Sequence, residues 1–118
     1  EEIARAARGS TVLVNVSNLA WFGQTFAPWQ HLQMSQMRAL ETGRMMLRAT
    51  NTGVTAIIGR DGNVVSQLPL FMTGLLQGEV QGYAGETPFM RWLNAPVLAL
   101  WLVLAGVVLW RARRPARA

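Results

Sequence analysis

The hydrophobic positions in the first half of the chain change repeatedly between helical and strand spacing. Apolar residues three or four apart in residues 1–8 predict the end of a helix, which Gly9 would stop. A short β-branched run at residues 11–17 then predicts a buried strand. Its two faces would carry Val12, Val14 and Val16 on one side and Leu13 and Asn15 on the other.

A longer helical pattern covers residues 29–44 and predicts about four turns, with Pro28 suited to its start and Gly43 to its end. Charged residues at spacing three predict ion pairs along one side of this helix. These residues are Arg38, Glu41 and Arg44. The expected inward-facing apolar stripe consists of Leu32, Met34, Met37 and Leu40.

Strand patterns follow this helix. The first covers residues 46–51. The next two cover residues 53–59 and 63–69, on either side of a turn that contains Asp61 and Gly62. An Asp-Gly pair between two alternating apolar runs is a strong hairpin signal.

The rest of the globular part is less regular. Residues 75–80 predict one more strand, and residues 81–91 are a loop rich in glycine and turn formers. The order of elements predicts a mixed α/β sheet. Because the chain opens inside a helix that leads into a buried strand, we expect it to be the C-terminal part of a larger domain.

Residues 92–110 contain no charged side chain and are long enough to cross most of the ~30 Å hydrocarbon core of a bilayer. Trp92 and Trp110 lie at the two ends, where indole rings favour the membrane interface. Asn94 is the expected N-cap, and Pro96 suits the first turn. We expect a transmembrane helix, because the alternative, a buried core helix, seldom lacks a polar stripe.

The charge of the chain is concentrated at its C-terminus. All eleven basic residues are arginine, against six acidic residues, and the formal net charge is +5. Four of the arginines lie in residues 111–118, which leaves seven elsewhere. This distribution argues against a basic surface for nucleic acid. A short basic flank beside a transmembrane helix stays in the cytoplasm, so we expect the globular part on the opposite side of the membrane.

The chain contains no cysteine and no lysine. Disulfides, thiolate metal sites, cysteine nucleophiles and catalytic lysines are therefore excluded within these residues. One histidine and six acidic residues leave few ligands for a metal centre. We expect neither a metal nor a cofactor.

The segment after the first strand, residues 18–31, is unusually aromatic for a loop. It contains two Trp, two Phe and the only His of the chain, and it has no charged residue. Functional sites in sheets with crossover helices form at the carboxyl ends of strands, where this segment begins. Apolar side chains that face water there indicate a contact surface.

Several motifs follow one another in a specific order across residues 11–110. They are NVSNLAWFG, PWQHLQMSQMRALETGR, LRATNTGVTAIIGRDG, a TPF stretch and the final apolar helix. Together they resemble the apolipoprotein N-acyltransferase family, bacterial inner-membrane enzymes with a periplasmic nitrilase-like domain. RALETGR and ATNTG are also similar to segments of soluble nitrilase-type amidohydrolases. Leu19 departs from the family pattern, which usually has Asp at this position.

This resemblance implies a fold and a location. Residues 1–91 would be the C-terminal portion of a nitrilase-like (carbon-nitrogen hydrolase) α-β-β-α sandwich, residues 92–110 a transmembrane helix, and residues 111–118 a basic cytoplasmic tail. The full-length protein would be a monomeric, multi-pass protein of the bacterial inner membrane, with its globular part in the periplasm.

The resemblance also implies a reaction. Enzymes of this family transfer a fatty acyl chain from a phospholipid to the N-terminal amino group of the lipidated cysteine of an apolipoprotein. They use a Glu base, a Lys and a Cys nucleophile, through a thioester. These three residues would precede residue 1, so we expect the chain alone to be inactive. The implied partners are the phospholipid donor, the apolipoprotein acceptor and the membrane, with no nucleic acid.

On this resemblance, the aromatic segment would border the active site and receive acyl chains. The candidate substrate-binding residues are Asn18, Trp21, Phe22, Gly23, Phe26 and Trp29. The candidate supporting residues are His31, Glu41, Asn51 and Gly53. Structural roles are the alternatives: the aromatic rings could close the end of the sheet, and Asn18 could hold a turn. His31 could be a hydrogen-bonded helix residue and Glu41 an ion-pair partner of a nearby arginine.

Two other classes of protein stay open at this point. A membrane-tethered amidohydrolase of the same superfamily would hydrolyse a small amide, and it would need a narrow polar pocket. A non-catalytic, tail-anchored interaction module would lack cysteine and lysine in its native form.

Overall fold

A computed structural model describes residues 1–113 of the chain. The end of the expected basic tail, residues 114–118, lies outside the described residues. In chain order, the elements are α1 (Glu2–Ala6), β1 (Val12–Ser17), a 3₁₀ helix (Ala20–Phe22), α2 (Ala27–Thr42), β2 (Met45–Thr50), β3 (Ala56–Ile58), β4 (Val64–Gln67), α3 (Pro88–Trp92) and α4 (Ala95–Ala112).

The four strands form one mixed sheet in the order β1-β2-β3-β4. Strands β1 and β2 are parallel, in a register that pairs Val12 with Met45 and Ser17 with Thr50. The pairs β2–β3 and β3–β4 are antiparallel. The expected mixed α/β architecture is therefore confirmed. Because β1 and β2 run in the same direction, their carboxyl ends meet at one edge of the sheet.

The hairpin between β3 and β4 forms at the expected Asp-Gly pair. Asp61 accepts hydrogen bonds from the Asn63 backbone N–H at 3.1 Å and from Asn63 Nδ2 at 2.7 Å. These bonds hold the pKa of Asp61 below its ordinary value. Gly62 has a left-handed φ of 81°, and its carbonyl accepts a hydrogen bond from Gln36 Nε2 at 2.8 Å, which docks the hairpin on α2.

Replacing Gly62 with alanine should lower the free energy of unfolding by about 1–3 kcal/mol. A left-handed φ is strained for any residue with a Cβ, and that Cβ would lie 3.0 Å from the Gln36 carbonyl oxygen. Gly74→Ala is the matched control, because its Cβ would meet only Leu68 Cδ atoms at 3.4 and 3.7 Å. Thermal unfolding compares the two variants, and equal melting temperatures would contradict the prediction.

Helix α2 starts two residues before the predicted range and ends as expected at Gly43, which has a φ of 63°. Its buried face, however, consists of small and polar residues as well as Leu32. This face is formed by Pro28, Leu32, Ser35, Ala39 and Thr42. The predicted stripe is wrong in its other members, since Met34, Met37 and Leu40 are 49–62% exposed. Small side chains allow the helix to approach the sheet closely, and a pattern of large apolar residues does not reveal that.

The main core lies between α2 and the sheet. It contains Leu32 and Ala39 from α2, Met46 from β2, Ala56 and Ile58 from β3, and Val54 from the turn between these strands. The opposite sheet face is open in residues 1–113, where Val14 is 71% exposed and Val16 is 80% exposed. The expectation of a buried β1 is therefore wrong for this face of the described chain.

Residues 75–80 do not form the expected strand. They cross the sheet without joining it, and Gly78 comes so close to Ile57 that a Cβ there would lie 2.5 Å from Ile57 Cδ1. Leu75 and Leu76 line a shallow space beside Val14 on the open face. The apolar residues of this segment thus pack over a sheet face, which gives the same sequence pattern as a strand.

A second, smaller core forms where α1 meets α3. It contains Ala4, Ala7 and Met90, and each of these residues is at most 3% exposed. Helix α3 occupies part of the predicted loop at residues 81–91. Thr87 caps it by accepting a hydrogen bond from the Met90 N–H at 3.2 Å. The Thr-Pro pair was the available signal for this helix.

Helix α4 covers 18 residues with a mean hydropathy of 1.9, and none of that window is buried. Its length and composition allow it to cross a membrane, and its exposure does not fit a core helix of the described residues. Asn94 occupies the expected N-cap position, but its side chain makes no capping bond. Asn94 Nδ2 instead donates to Glu1 Oε1 at 3.0 Å, which connects the start of α4 to α1.

Candidate functional site

The candidate site lies at the edge where the parallel strands β1 and β2 end. Ser17 and Thr50 are the last paired residues, and one asparagine follows each strand. Asn18 precedes the 3₁₀ helix, and Asn51 begins the turn that leads to β3. A cavity of about 560 Å³ opens at these strand ends. It is lined by Val16, Ser17, Asn18, Ala49, Thr50 and Asn51.

The two asparagines hold each other and the start of the loop. Asn51 Nδ2 donates to Asn18 Oδ1 at 2.7 Å, and Asn51 Oδ1 accepts from the Leu19 N–H at 3.0 Å. Asn18 Oδ1 also accepts from the Ala20 N–H at 3.1 Å. Asn18, which was predicted to bind substrate, and Asn51, which was predicted to support the site, are therefore in direct contact.

Leu19 fixes the loop from the apolar side. Its side chain is 2% exposed, and a Cβ on Gly53 would lie 2.5 Å from Leu19 Cδ1. Gly53, a predicted supporting residue, thus leaves room for a neighbouring side chain. The residue that departs from the family pattern is a buried anchor of the loop in this chain.

The aromatic side chains beyond this anchor face outward. Trp21 is 74% exposed and Phe26 is 81% exposed, while Phe22 and Trp29 are 38% and 43% exposed. Trp21 and Phe22 meet edge to face, with ring centroids 6.3 Å apart. Gly23 ends the 3₁₀ helix with a φ of 54°. The rings therefore do not close the end of the sheet within residues 1–113.

An apolar groove continues from the loop to a second segment that the sequence interpretation missed. The groove has a volume of about 470 Å³ and is lined by Gln24, Thr25, Phe26, Trp29, Leu70 and Phe71. Phe71 has a φ of 58°, which is rare for a bulky residue and costs conformational energy. The available signal was the apolar run at residues 68–72, which directly follows β4.

Two predicted supporting residues have other surroundings. The His31 ring packs at a tilt on Phe22, with centroids 5.5 Å apart, and its backbone carbonyl accepts from Ser35 Oγ. Among the described residues its imidazole makes no hydrogen bond, so the expectation of one is corrected. Glu41 forms an ion pair with Arg38 at 2.7 Å near the start of β2, at the opposite end of the sheet from Asn51.

A buried arginine lies beneath the site. Arg48 is 3% exposed and donates to Asn15 Oδ1 at 2.9 Å and to Ser35 Oγ at 2.7 Å. Asn15 Oδ1 also accepts from Ser17 Oγ at 2.7 Å, so this network ends at the carboxyl end of β1. Burial lowers the pKa of Arg48. Arginine stays protonated at neutral pH, so a positive charge lies under the strand ends.

The strand ends present groups that suit binding and positioning. Among residues 1–113, no group of three or more His, Cys, Asp or Glu side chains could hold a metal ion. The site edge presents asparagine amides and exposed aromatic rings, which suit carbonyl groups and apolar chains.

The sequence of this chain matches a known class of protein. The family model for carbon-nitrogen hydrolases matches residues 1–89. The chain belongs to the carbon-nitrogen hydrolase family.

Particular members of the class are similar over almost the whole chain. An apolipoprotein N-acyltransferase of Ralstonia nicotianae is 54% identical over 122 residues, which cover 100% of this chain and 23% of the relative. Apolipoprotein N-acyltransferases of Nitrosomonas europaea and Neisseria meningitidis are 57% and 46% identical over 90% and 93% of this chain. The resemblance carried by the motifs is confirmed. The chain spans only 22–23% of the length of these relatives.

Proposed function

We propose that this chain is the C-terminal part of a membrane-bound apolipoprotein N-acyltransferase. The full-length enzyme would transfer a fatty acyl chain from a phospholipid to the N-terminal amino group of a lipidated cysteine. The observation that carries the proposal is the exposed aromatic groove at the carboxyl edge of a carbon-nitrogen hydrolase sheet. The same chain holds an apolar helix that could reach a membrane, and soluble amidohydrolases need neither feature.

The composition of this chain supports a separation between residues that bind the acyl donor and residues that catalyse the transfer. The chain has no cysteine and no lysine, and in this proposal the full-length enzyme supplies the nucleophile and the Lys of the family from outside this chain. The residues described here bind the acyl donor and hold it at the strand ends. A groove lined by Phe26, Trp29 and Phe71 removes the methylene groups of an acyl chain from water, at about 0.8 kcal/mol for each buried methylene.

Helix α4 supports a location of the protein in a membrane. Its 18 residues span about 27 Å at 1.5 Å per residue, close to the hydrocarbon thickness of a bilayer. Arg111 and Arg113 follow the apolar run directly, and positive residues favour the cytoplasmic side. Both features support a bacterial inner-membrane protein whose sheet and aromatic groove lie in the periplasm.

The test uses the full-length protein in phospholipid vesicles, with a diacylated lipopeptide as acceptor. Phe26→Ala and Trp29→Ala should each lower kcat/KM for a long-chain donor by about tenfold, because each removes a large apolar side chain from the groove lining. The loss should shrink for a short-chain donor. Met34→Ala is the control: Met34 is 62% exposed on α2 and does not line the groove.

The outcomes separate the classes of protein. Wild-type transfer rates in both aromatic variants would remove the proposed role of the groove. Hydrolysis of small amides by the wild-type protein, without acyl transfer, would instead identify a membrane-tethered amidohydrolase. A full-length protein with neither activity would be a non-catalytic anchored module.

A further inference from the structure

The orientation of the Asn18 amide is fixed by its neighbours. Backbone N–H groups can only donate, so the side-chain atoms that they contact must be oxygens. The Leu19 and Thr52 N–H groups therefore identify the accepting atom of Asn51 as Oδ1. The Ala20 N–H likewise identifies the accepting atom of Asn18 as Oδ1.

After this assignment, Asn18 Nδ2 is the side-chain group of the pair that bonds to neither the other asparagine nor the loop backbone. The Nδ2 of Asn51 donates to Asn18 Oδ1 at 2.7 Å, so the Asn18 Nδ2 group points away from that pair. Among residues 1–113, its two N–H donors have no hydrogen-bond partner, and Asn18 is exposed. They adjoin the cavity of about 560 Å³ at the strand ends.

The cavity favours a neutral acceptor. Its lining contains valine, serine, asparagine, alanine and threonine side chains and no charged residue. A phosphate group would be matched by arginine or lysine in the lining, whereas Arg48 beneath the strand ends is 3% exposed and does not line this cavity. An amide N–H pair suits a carbonyl oxygen of an ester or a peptide.

We propose that Asn18 Nδ2 is a preorganised hydrogen-bond donor to a substrate carbonyl oxygen, and that Asn51 is the positioning residue that fixes its direction. This inference rests on the proposed acyl transfer and adds an atom-level role to the same site. The carbonyl belongs either to the ester of the acyl donor or to the peptide of the acceptor. No proton moves at Asn18, since its amide only donates a hydrogen bond.

The decisive variant is Asn18→Asp in the full-length protein. Aspartate has the same shape and keeps the oxygen that accepts from Ala20 and Asn51, but it replaces the donor with an acceptor. We expect a loss of kcat/KM of about tenfold or more, with an unchanged melting temperature. Asn63→Ala is the control, because Asn63 lies in the exposed hairpin and bonds only to Asp61 and Gly59.

Asn51→Asp tests the positioning role without changing the donor itself. It keeps the oxygen that accepts from Leu19 and places a second oxygen opposite Asn18 Oδ1. The Asn18 amide could then no longer satisfy both neighbours, because its oxygen would face the new carboxylate oxygen or its Nδ2 would face the Ala20 N–H, so its direction would no longer be fixed. We expect a loss of kcat/KM similar to that of Asn18→Asp.

Half-reactions identify the carbonyl. If the ester is the ligand, release of lysophospholipid without acceptor slows in Asn18→Asp. If the peptide is the ligand, that release is normal and the KM for the lipopeptide rises. Wild-type values for both steps would overturn the inference while the proposed function stands. Absence of acyl transfer in the unmodified protein would overturn both.

Discussion

Replacing Arg44 with methionine should lower the free energy of unfolding by about 3 kcal/mol or more. Arg44 is 2% exposed. Its guanidinium donates to the carbonyl oxygens of Ser10 at 2.7 Å, Thr42 at 2.6 Å and Gly85 at 3.1 Å. Methionine fills similar space but donates nothing, and each buried carbonyl left without a donor costs about 1–3 kcal/mol.

Thermal unfolding of the full-length protein measures this effect, and the melting temperature should fall by about 6 °C or more. Arg60→Met is the matched control. Arg60 is exposed and lies 4.7 Å above the Tyr83 ring, a contact worth about 0.5–1 kcal/mol. Arg44→Lys should fall between the two variants, because an ammonium group cannot serve three divergent carbonyls as a planar guanidinium does. An Arg44→Met protein as stable as Arg60→Met would show that the hydrogen bonds of Arg44 do not stabilise the fold as predicted.

The large expected effect comes from the position of Arg44 between separate segments. Its three carbonyl partners belong to the turn before β1, the end of α2 and the loop that leads to α3. Arg8 adds a bond to the Met90 carbonyl at 3.0 Å. These contacts attach the segment that enters α4 to the end of the sheet opposite the candidate site.

The sequence placed Arg44 wrongly in a row of helix ion pairs with Arg38 and Glu41. Spacing of three residues brings side chains together only while the helix continues. Gly43 adopts a left-handed conformation that ends α2, so Arg44 leaves the helix surface and turns inward. Only the Arg38–Glu41 pair, which lies within the helix, forms as expected.

Elements with strong local signals could be predicted from the sequence. β1, α2, the Asp-Gly hairpin and the apolar helix α4 were all found within a few residues of their bounds. The exposed face of β1 could not be predicted, since a β-branched run gives the same pattern whether one face or both faces are covered. The small residues Ser35 and Ala39 of the α2 interface were missed for a related reason: burial there depends on close approach and not on hydrophobicity.

The candidate site could likewise be predicted only in part from the sequence. The aromatic residues and the two asparagines stand out in the sequence, because they follow strands and carry distinctive side chains. The contribution of Leu70 and Phe71 depends on where the chain returns after β4, which no local pattern gives. The buried network of Arg48 and Asn15 joins residues 33 positions apart, so only the strand register reveals it.

Leu19→Asp should destabilise the protein by about 3 kcal/mol or more, although it restores the residue that the family usually has at this position. The Leu19 side chain is 2% exposed and packs against Gly53. A carboxylate at this buried position would lose its hydration, and no described residue is placed to neutralise its charge there. We expect the aspartate to turn toward water and to pull the aromatic loop from the sheet.

Three variants separate this effect from simple loss of volume. Leu19→Met should cost less than about 1.5 kcal/mol, and Leu19→Ala about 2–5 kcal/mol for the cavity it leaves. Leu19→Asp should be at least as costly as Leu19→Ala and should also change the fluorescence of Trp21, which lies two residues away in the 3₁₀ helix. An aspartate variant as stable as Leu19→Met would contradict the prediction. It would show that polar contacts can also hold the aromatic loop against the sheet.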